Sequence, residues 1–182
     1  MSHSPRVHCE WSEQGLATHR GGADVIIIVD VLSFSTCVNI AVSQSATIFP
    51  IAWGDARAAK LAEEMGAEMA GPRGKAKYSL SPATFLQIGA GAGVVLPSPN
   101  GARLSLEADH DKVLTGCLRN AQAVAEAATE LGDRIFVVPA GDQGLGHGIF
   151  DPADKHDVGG AAYIRRDVSH AAGHGHLGVT AQ

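Results

Sequence analysis

The sequence predicts an α/β fold, a mostly parallel sheet with helices on both faces and an N-terminal edge strand. Three observations carry this. The run ADVIIIVDVL, Ala23 to Leu32, is β-branched and apolar at successive positions, as a strand buried on both faces must be, and such strands belong to parallel sheets. Strand-like and helix-like segments then alternate about five times as far as Val138. Finally, Val7-His8-Cys9-Glu10-Trp11 alternates apolar and polar residues in the manner of an edge strand.

After the first buried strand, Ser33-Phe34-Ser35-Thr36 offers capping hydroxyls for a short helix over Cys37 to Ser43. Thr47 to Ile51 reads as a strand. Gly54-Asp55 opens the helix ARAAKLAEEM, with Asp55 as N-cap and Gly66 in the left-handed position that ends helices. Ala67 to Ala70 is a short strand ended by Gly71-Pro72, and Ser81-Pro82 pairs an N-cap with a proline at the first helical position, leading Ala83 to Ile88. Gly93 to Leu96 is the next buried strand. A helix follows from Ala102 to about Ala108, then a strand at Lys112 to Leu114 and an alanine-rich helix from Asn120 to Leu131, closed by Gly132. Arg134 to Val138 is a further strand, ending at Pro139-Ala140-Gly141. Beyond Gly144 the only periodic stretch is Asp157 to Ile164, which suggests a short helix.

Length and composition bound the function. A chain of 182 residues with 45% hydrophobic and 18% charged side chains has enough apolar surface to fold as one domain, placed at 1–164. Residues 165–182 read as a flexible Gly/His/Ala-rich tail, whose histidines fit a solvated segment better than a metal site. With 14 basic against 19 acidic residues and no basic run longer than Arg165-Arg166, a nucleic-acid partner is not expected. Val25 to Val29 is far short of the ~20 residues of a membrane span, and the N-terminus lacks a signal peptide's apolar core, so the expectation is a cytoplasmic protein without a membrane partner. Cys9, Cys37 and Cys117 show no paired spacing and read as reduced thiols.

Ligands of open parallel sheets bind at the carboxyl ends of the strands. Here those ends carry Asp30 with Ser33, Ser35 and Thr36; Gly71-Pro72-Arg73; Ser98, Asn100, Gly101 and Arg103; Thr115 to Asn120; and Gly141-Asp142. Hydroxyls, amides and arginines beside glycines and helix N-termini suit an anion such as phosphate. Each also has a plain structural use: Asp30 and Asn120 as caps, Asn100-Gly101 as a turn, Arg73 and Arg103 as solvated charges. The alternatives stay open at this level. Several other chemistries are excluded by spacing. Gly89-Ala90-Gly91-Ala92-Gly93 precedes a strand rather than following one and lacks the last spacing of a dinucleotide loop. There is no phosphate-binding G-x-x-x-x-G-K-[ST] loop and no G-x-S-x-G elbow, and neither Cys37 nor Cys117 has the arginine six residues on that a cysteine phosphatase needs.

The ordered set Asp30-Val31-Leu32-Ser33-Phe34-Ser35-Thr36, Ala70-Gly71-Pro72-Arg73, Leu80-Ser81-Pro82, Pro99-Asn100-Gly101-Ala102-Arg103, Gly116-Cys117-Leu118-Arg119-Asn120-Ala121 and Ala140-Gly141 resembles the 2-phosphosulfolactate phosphatase family over roughly Val7 to Gly141. The chain departs from the family pattern where Ser33-Phe34 replaces Arg-Ala, where Pro72 replaces a Glu, and where Lys155-His156-Asp157 replaces an acidic pair. It resembles a divergent, shortened member. What the resemblance implies is Mg2+-dependent hydrolysis of a small phosphomonoester, 2-phosphosulfolactate to sulfolactate and phosphate, in coenzyme M biosynthesis. On it, the expected catalytic residues are Asp30, Asn100 and Asp142, the metal ligands Asp30 and Asp157. Ser35, Thr36, Arg73, Ser98, Gly101, Arg103 and Asn120 are then expected to hold the small phosphorylated, possibly sulfonated acid. A homo-oligomer is left open. The alternatives are a non-catalytic relative that binds an anionic metabolite, and a phosphatase for another small phosphate ester.

Overall fold

Side-chain alternation along the apolar runs settles which helix lies on which face. In the computed structural model, which describes residues 5–141, 162–168 and 176–181, Val25–Val29 forms strand β2 after β1 (Arg6–Cys9) and helix α1 (Ser12–His19). Ile26 and Ile28 pack with Phe34, Cys37 and Val38 of α2 (Phe34–Ser43), with Ala102 and Leu104 of α4 (Gly101–Glu107), and with Leu16 of α1. Val25 and Ile27 turn the other way, onto Val124, Ala127 and Ala128 of α5 (Ala121–Leu131). A third cluster sets Leu61 and Ala62 of α3 (Ala58–Met65) against Phe49 and Ile51 of β3 (Thr47–Ala52) and Val95 of β5 (Gly93–Ser98). Helices therefore cover both faces, as the sequence predicts. Each fully buried Ile, Val or Phe contributes about 1.5 to 3 kcal/mol relative to its exposed state.

The sheet is completed by β4 (Glu68–Met69), β6 (Val113–Gly116), β7 (Arg134–Pro139), β8 (Ala162–Val168) and β9 (His176–Ala181), in the order β1-β7-β2-β6-β8-β9-β3-β5-β4. Parallel pairs join β1 to β7, β7 to β2, β2 to β6, β3 to β5 and β5 to β4. β8 and β9 run antiparallel and bridge β6 to β3. β1 stands at the edge, with all four residues exposed.

Several elements differ from expectation. Helix α1 has no counterpart in the sequence reading because it buries only Gly15 and Leu16, too little for an apolar stripe. The helix expected after Ser81-Pro82 is a short 3-10 turn, Pro82–Phe85, with proline in the expected place. Residues 162–164, expected at the end of a short helix, lie in β8, where backbone pairing with β6 overrides weak local preference, while 157–161 fall outside the described residues. The stretch 165–182, expected to be a tail, contributes the remainder of β8 and all of β9. Asp55 does not cap α3, which begins at Ala58; its Oδ1 accepts the Arg57 N–H at 2.9 Å in the turn before the helix. No helix of the described residues is long and apolar enough to cross a membrane.

Candidate active site

β2 delivers Asp30 to the carboxyl edge of the sheet, where the chain turns at once into α2. Asp30 is only 6% exposed. Its Oδ2 accepts the N–H of Gly101, the first residue of α4, at 2.9 Å, and its Oδ1 accepts the N–H of Phe34, the first residue of α2, at 3.4 Å. One carboxylate thus receives the free N–H groups of two helix starts, where the helix dipoles favour negative charge. Burial nevertheless raises the Asp30 carboxyl above its ordinary pKa, the N–H groups of Gly101, Phe34 and Ser33 opposing it. Gly101 is required here: a Cβ would stand 2.5 Å from Phe34 Cδ1 and 2.6 Å from Asp30 Oδ2.

Around this carboxylate the expected residues divide into framework and open groups. The Ser35 hydroxyl, fully buried, accepts the Asp30 N–H at 2.9 Å and the Thr115 hydroxyl at 2.8 Å, tying α2 to β6. Asn120 is 1% exposed; its Oδ1 accepts the Cys117 N–H at 2.7 Å and its Nδ2 donates to the Thr115 carbonyl at 3.1 Å. Both shape the loops rather than present a polar group to a ligand. Thr36 is half-buried, with its hydroxyl donating to the Val31 carbonyl at 2.8 Å. Ser98 is buried at the end of β5, and half-buried Asn100 precedes α4 without capping it through its side chain.

The two arginines have different fates. Arg73, on an exposed loop after β4, reaches over the start of α2: its Nη2 donates to the Ser33 hydroxyl at 3.1 Å and its Nε to the Leu80 carbonyl at 2.8 Å. Arg103 points along α4 to α1, where its guanidinium pairs with Glu13. A cleft of about 420 Å3 opens beyond that pair, lined by Glu13, Leu16, Arg20, Leu106, Glu107 and Asp109, away from Asp30.

Asp142 and Asp157 lie outside the described residues. The flanking positions are placed: Ala140 donates its N–H to the Val29 carbonyl at 2.7 Å, and Ala162 pairs with Thr115 at the end of β6. The chain leaves and re-enters at the edge that carries Asp30. Arg119, not among the expected site residues, also belongs there. It is half-buried, with its Nε donating to Asn39 Oδ1 of α2 at 3.2 Å, and its place after β6 was the available signal. Leu32 and Leu118 stand exposed past the ends of the parallel neighbours β2 and β6, giving this edge an apolar rim.

Neither buried thiol is favoured as a thiolate. Burial pushes Cys37 up to about 12, with the nearby Asp30 carboxylate also raising it, and burial raises Cys117. Among the described residues no three His, Cys, Asp or Glu side chains gather as a metal cluster. Asp30 still fits a hard cation in kind. It is a buried carboxylate whose oxygens accept main-chain N–H groups and not a cationic side chain, and Mg2+ commonly takes one or two carboxylates together with substrate oxygens.

Comparison with known proteins gives the chain a family. A family model described as 2-phosphosulpholactate phosphatase matches residues 12–162. The chain is 34% identical over 126 residues to a 2-phosphosulfolactate phosphatase from Methanothermobacter thermautotrophicus, an alignment covering 68% of this chain. It spans about half of that relative's length, 54%.

Proposed function

The chain belongs to the 2-phosphosulfolactate phosphatase family, and from that premise we propose that it hydrolyses a small phosphomonoester, 2-phosphosulfolactate, to sulfolactate and phosphate. The supporting observation is the buried Asp30 carboxylate at the carboxyl end of β2, held between the N-termini of α2 and α4 with Arg73 beside it through Ser33. In the reaction water adds to phosphorus, the bond from phosphorus to the ester oxygen breaks, and that oxygen leaves with a proton as the hydroxyl of sulfolactate.

Asp30 is the residue that would hold Mg2+, with Asp157 as the proposed second ligand. A bound Mg2+ would neutralise phosphoryl oxygens and orient the attacking water. Held beside the cation, the Asp30 carboxylate can accept a hydrogen bond from that water and orient it. The N–H groups of Phe34 and Gly101 fix the carboxylate, so little reorganisation is needed as charge shifts. Arg73 would offer its guanidinium to an oxyanion of the substrate, with Thr36, Ser98, Asn100 and Gly101 as the proposed further contacts. Asp142 is the proposed second acid–base group.

The pairing of Arg103 with Glu13 favours a second reading, a relative that binds an anion without turning it over, because it leaves this edge with less positive charge. Phosphate release from 2-phosphosulfolactate and from 4-nitrophenyl phosphate, with and without Mg2+, separates the two. Mg2+-dependent release supports hydrolysis. Binding of 2-phosphosulfolactate by calorimetry with no release at any Mg2+ concentration overturns it in favour of the binder.

A further inference from the structure

We infer that Ser33 is a positioning residue that presents one edge of the Arg73 guanidinium to a terminal oxyanion of the substrate, an inference that rests on the proposed phosphatase function. The Ser33 hydroxyl is 7% exposed and occupied in both senses: it donates to the Leu80 carbonyl at 2.7 Å and accepts from Arg73 Nη2 at 3.1 Å. Arg73 Nε donates to the same Leu80 carbonyl at 2.8 Å. Ser33, Leu80 and the guanidinium therefore close a small ring.

The geometry of arginine gives this ring a consequence. A guanidinium offers two edges for paired hydrogen bonds, one formed by Nε and Nη2 and one by the two Nη groups. Ser33 and Leu80 engage the first. The second carries Nη1, for which no partner is found among the described residues, and it is the edge suited to two oxygens of a phosphate, sulfonate or carboxylate. Arg73 sits on an exposed loop and would otherwise sample many rotamers. Ser33 lies three positions beyond Asp30, and its N–H acts on that carboxylate, so the same residue sets the guanidinium in register with the reacting edge.

The test is a kinetic and binding cycle on the full chain. Ser33→Ala is expected to raise the KM for 2-phosphosulfolactate about tenfold while kcat changes less than about twofold, the size of one lost charge-assisted hydrogen bond. Ser33→Thr, which keeps the hydroxyl, should restore most of it. Arg73→Ala should raise KM at least as far, and Ser33→Ala added to Arg73→Ala should do nothing more, because Ser33 acts through the arginine. Calorimetry with sulfolactate and with inorganic phosphate reads the same cycle as affinity, independently of turnover, whichever oxyanion the guanidinium takes. A chain that releases no phosphate but loses affinity for one of these two in this pattern defeats the phosphatase reading and leaves Ser33 as the positioning residue. A Ser33→Ala variant with a lower melting temperature and unchanged KM and affinity overturns the inference. So does a Ser33→Ala effect that persists at full size in the Arg73→Ala background.

Discussion

The main-chain N–H of Gly101 donates to Asp30 Oδ2 at 2.9 Å across 71 positions of sequence. That bond fixes the first turn of α4 against the end of β2 and leaves no room for a Cβ at residue 101. It joins the strand end, the helix start and the carboxylate into one unit, so changes at either residue should move stability and activity together.

Asp30→Asn keeps the shape but can offer only one oxygen, and its amide nitrogen faces N–H groups that need an acceptor. The expected result is a loss of about 1 to 3 kcal/mol in stability from the unsatisfied donor. Phosphate release should also fall ~10²-fold or more, because a group acting on the reacting atoms is gone. Melting temperature and phosphate-release kinetics on the same preparations check both.

Gly101→Ala places a methyl 2.5 Å from Phe34 Cδ1. Backbone of α4 or the ring of Phe34 has to shift, at a cost of about 1 to 3 kcal/mol. Because α4 carries the N–H that holds Asp30, kcat should drop as well. Chemical denaturation with initial rates measures the two losses, and a fully stable variant would remove the close approach as a constraint.

The pH dependence of stability should carry opposite signatures from two aspartates. Burial raises the Asp30 carboxyl in the folded state, so the folded protein binds that proton more tightly than the unfolded chain. Its contribution is present below the ordinary carboxyl value of 3.8 and is lost as pH rises through the folded value. Asp24 is lowered to about 2, chiefly by its side-chain hydrogen bond with Arg134, which it joins across the starts of β2 and β7. Its contribution is present above 3.8 and is lost as pH falls towards about 2. Compared with the parent protein, Asp30→Asn should flatten the rising-pH loss and Asp24→Asn the acid loss, read from denaturation midpoints across pH 2 to 7.

Thiol labelling should distinguish the three cysteines. Cys9 is exposed, whereas Cys37 and Cys117 are buried, with Cys37 pushed up to about 12. At pH 8 a disulfide reagent should modify Cys9 in the native protein and reach Cys37 and Cys117 only after denaturant is added. Rapid modification of Cys37 in the folded state would contradict the packing of α2 against β2.

Arg103→Ala should raise KM less than about twofold, since its guanidinium is already paired with Glu13 on α1. A double-mutant cycle with Glu13→Ala should give a coupling below about 1 kcal/mol, as expected of a partly exposed pair. A large KM effect would return Arg103 to the substrate.

The sequence by itself determined the strand class and which polar side chains follow the strand ends. Val25–Val29 can only be a strand buried on both faces, and the loops after such strands carry Asp30, Arg73, Asn100 and Asn120 wherever the strands are placed. It also located the Pro82 turn and the left-handed Gly66, because glycine and proline act through local backbone geometry. Only the tertiary structure decided which of those residues meet. Arg73 reaches Ser33 across 40 positions, whereas Arg103 turns to Glu13, and nothing in the local pattern separates two arginines that each follow a strand end. Ser35 and Asn120 looked like ligand groups and are framework, because burial and the arrangement of neighbouring strands set their partners. Strand order and helix rotation are fixed by packing across the whole sheet, and contacts between distant segments become definite only once that packing is made.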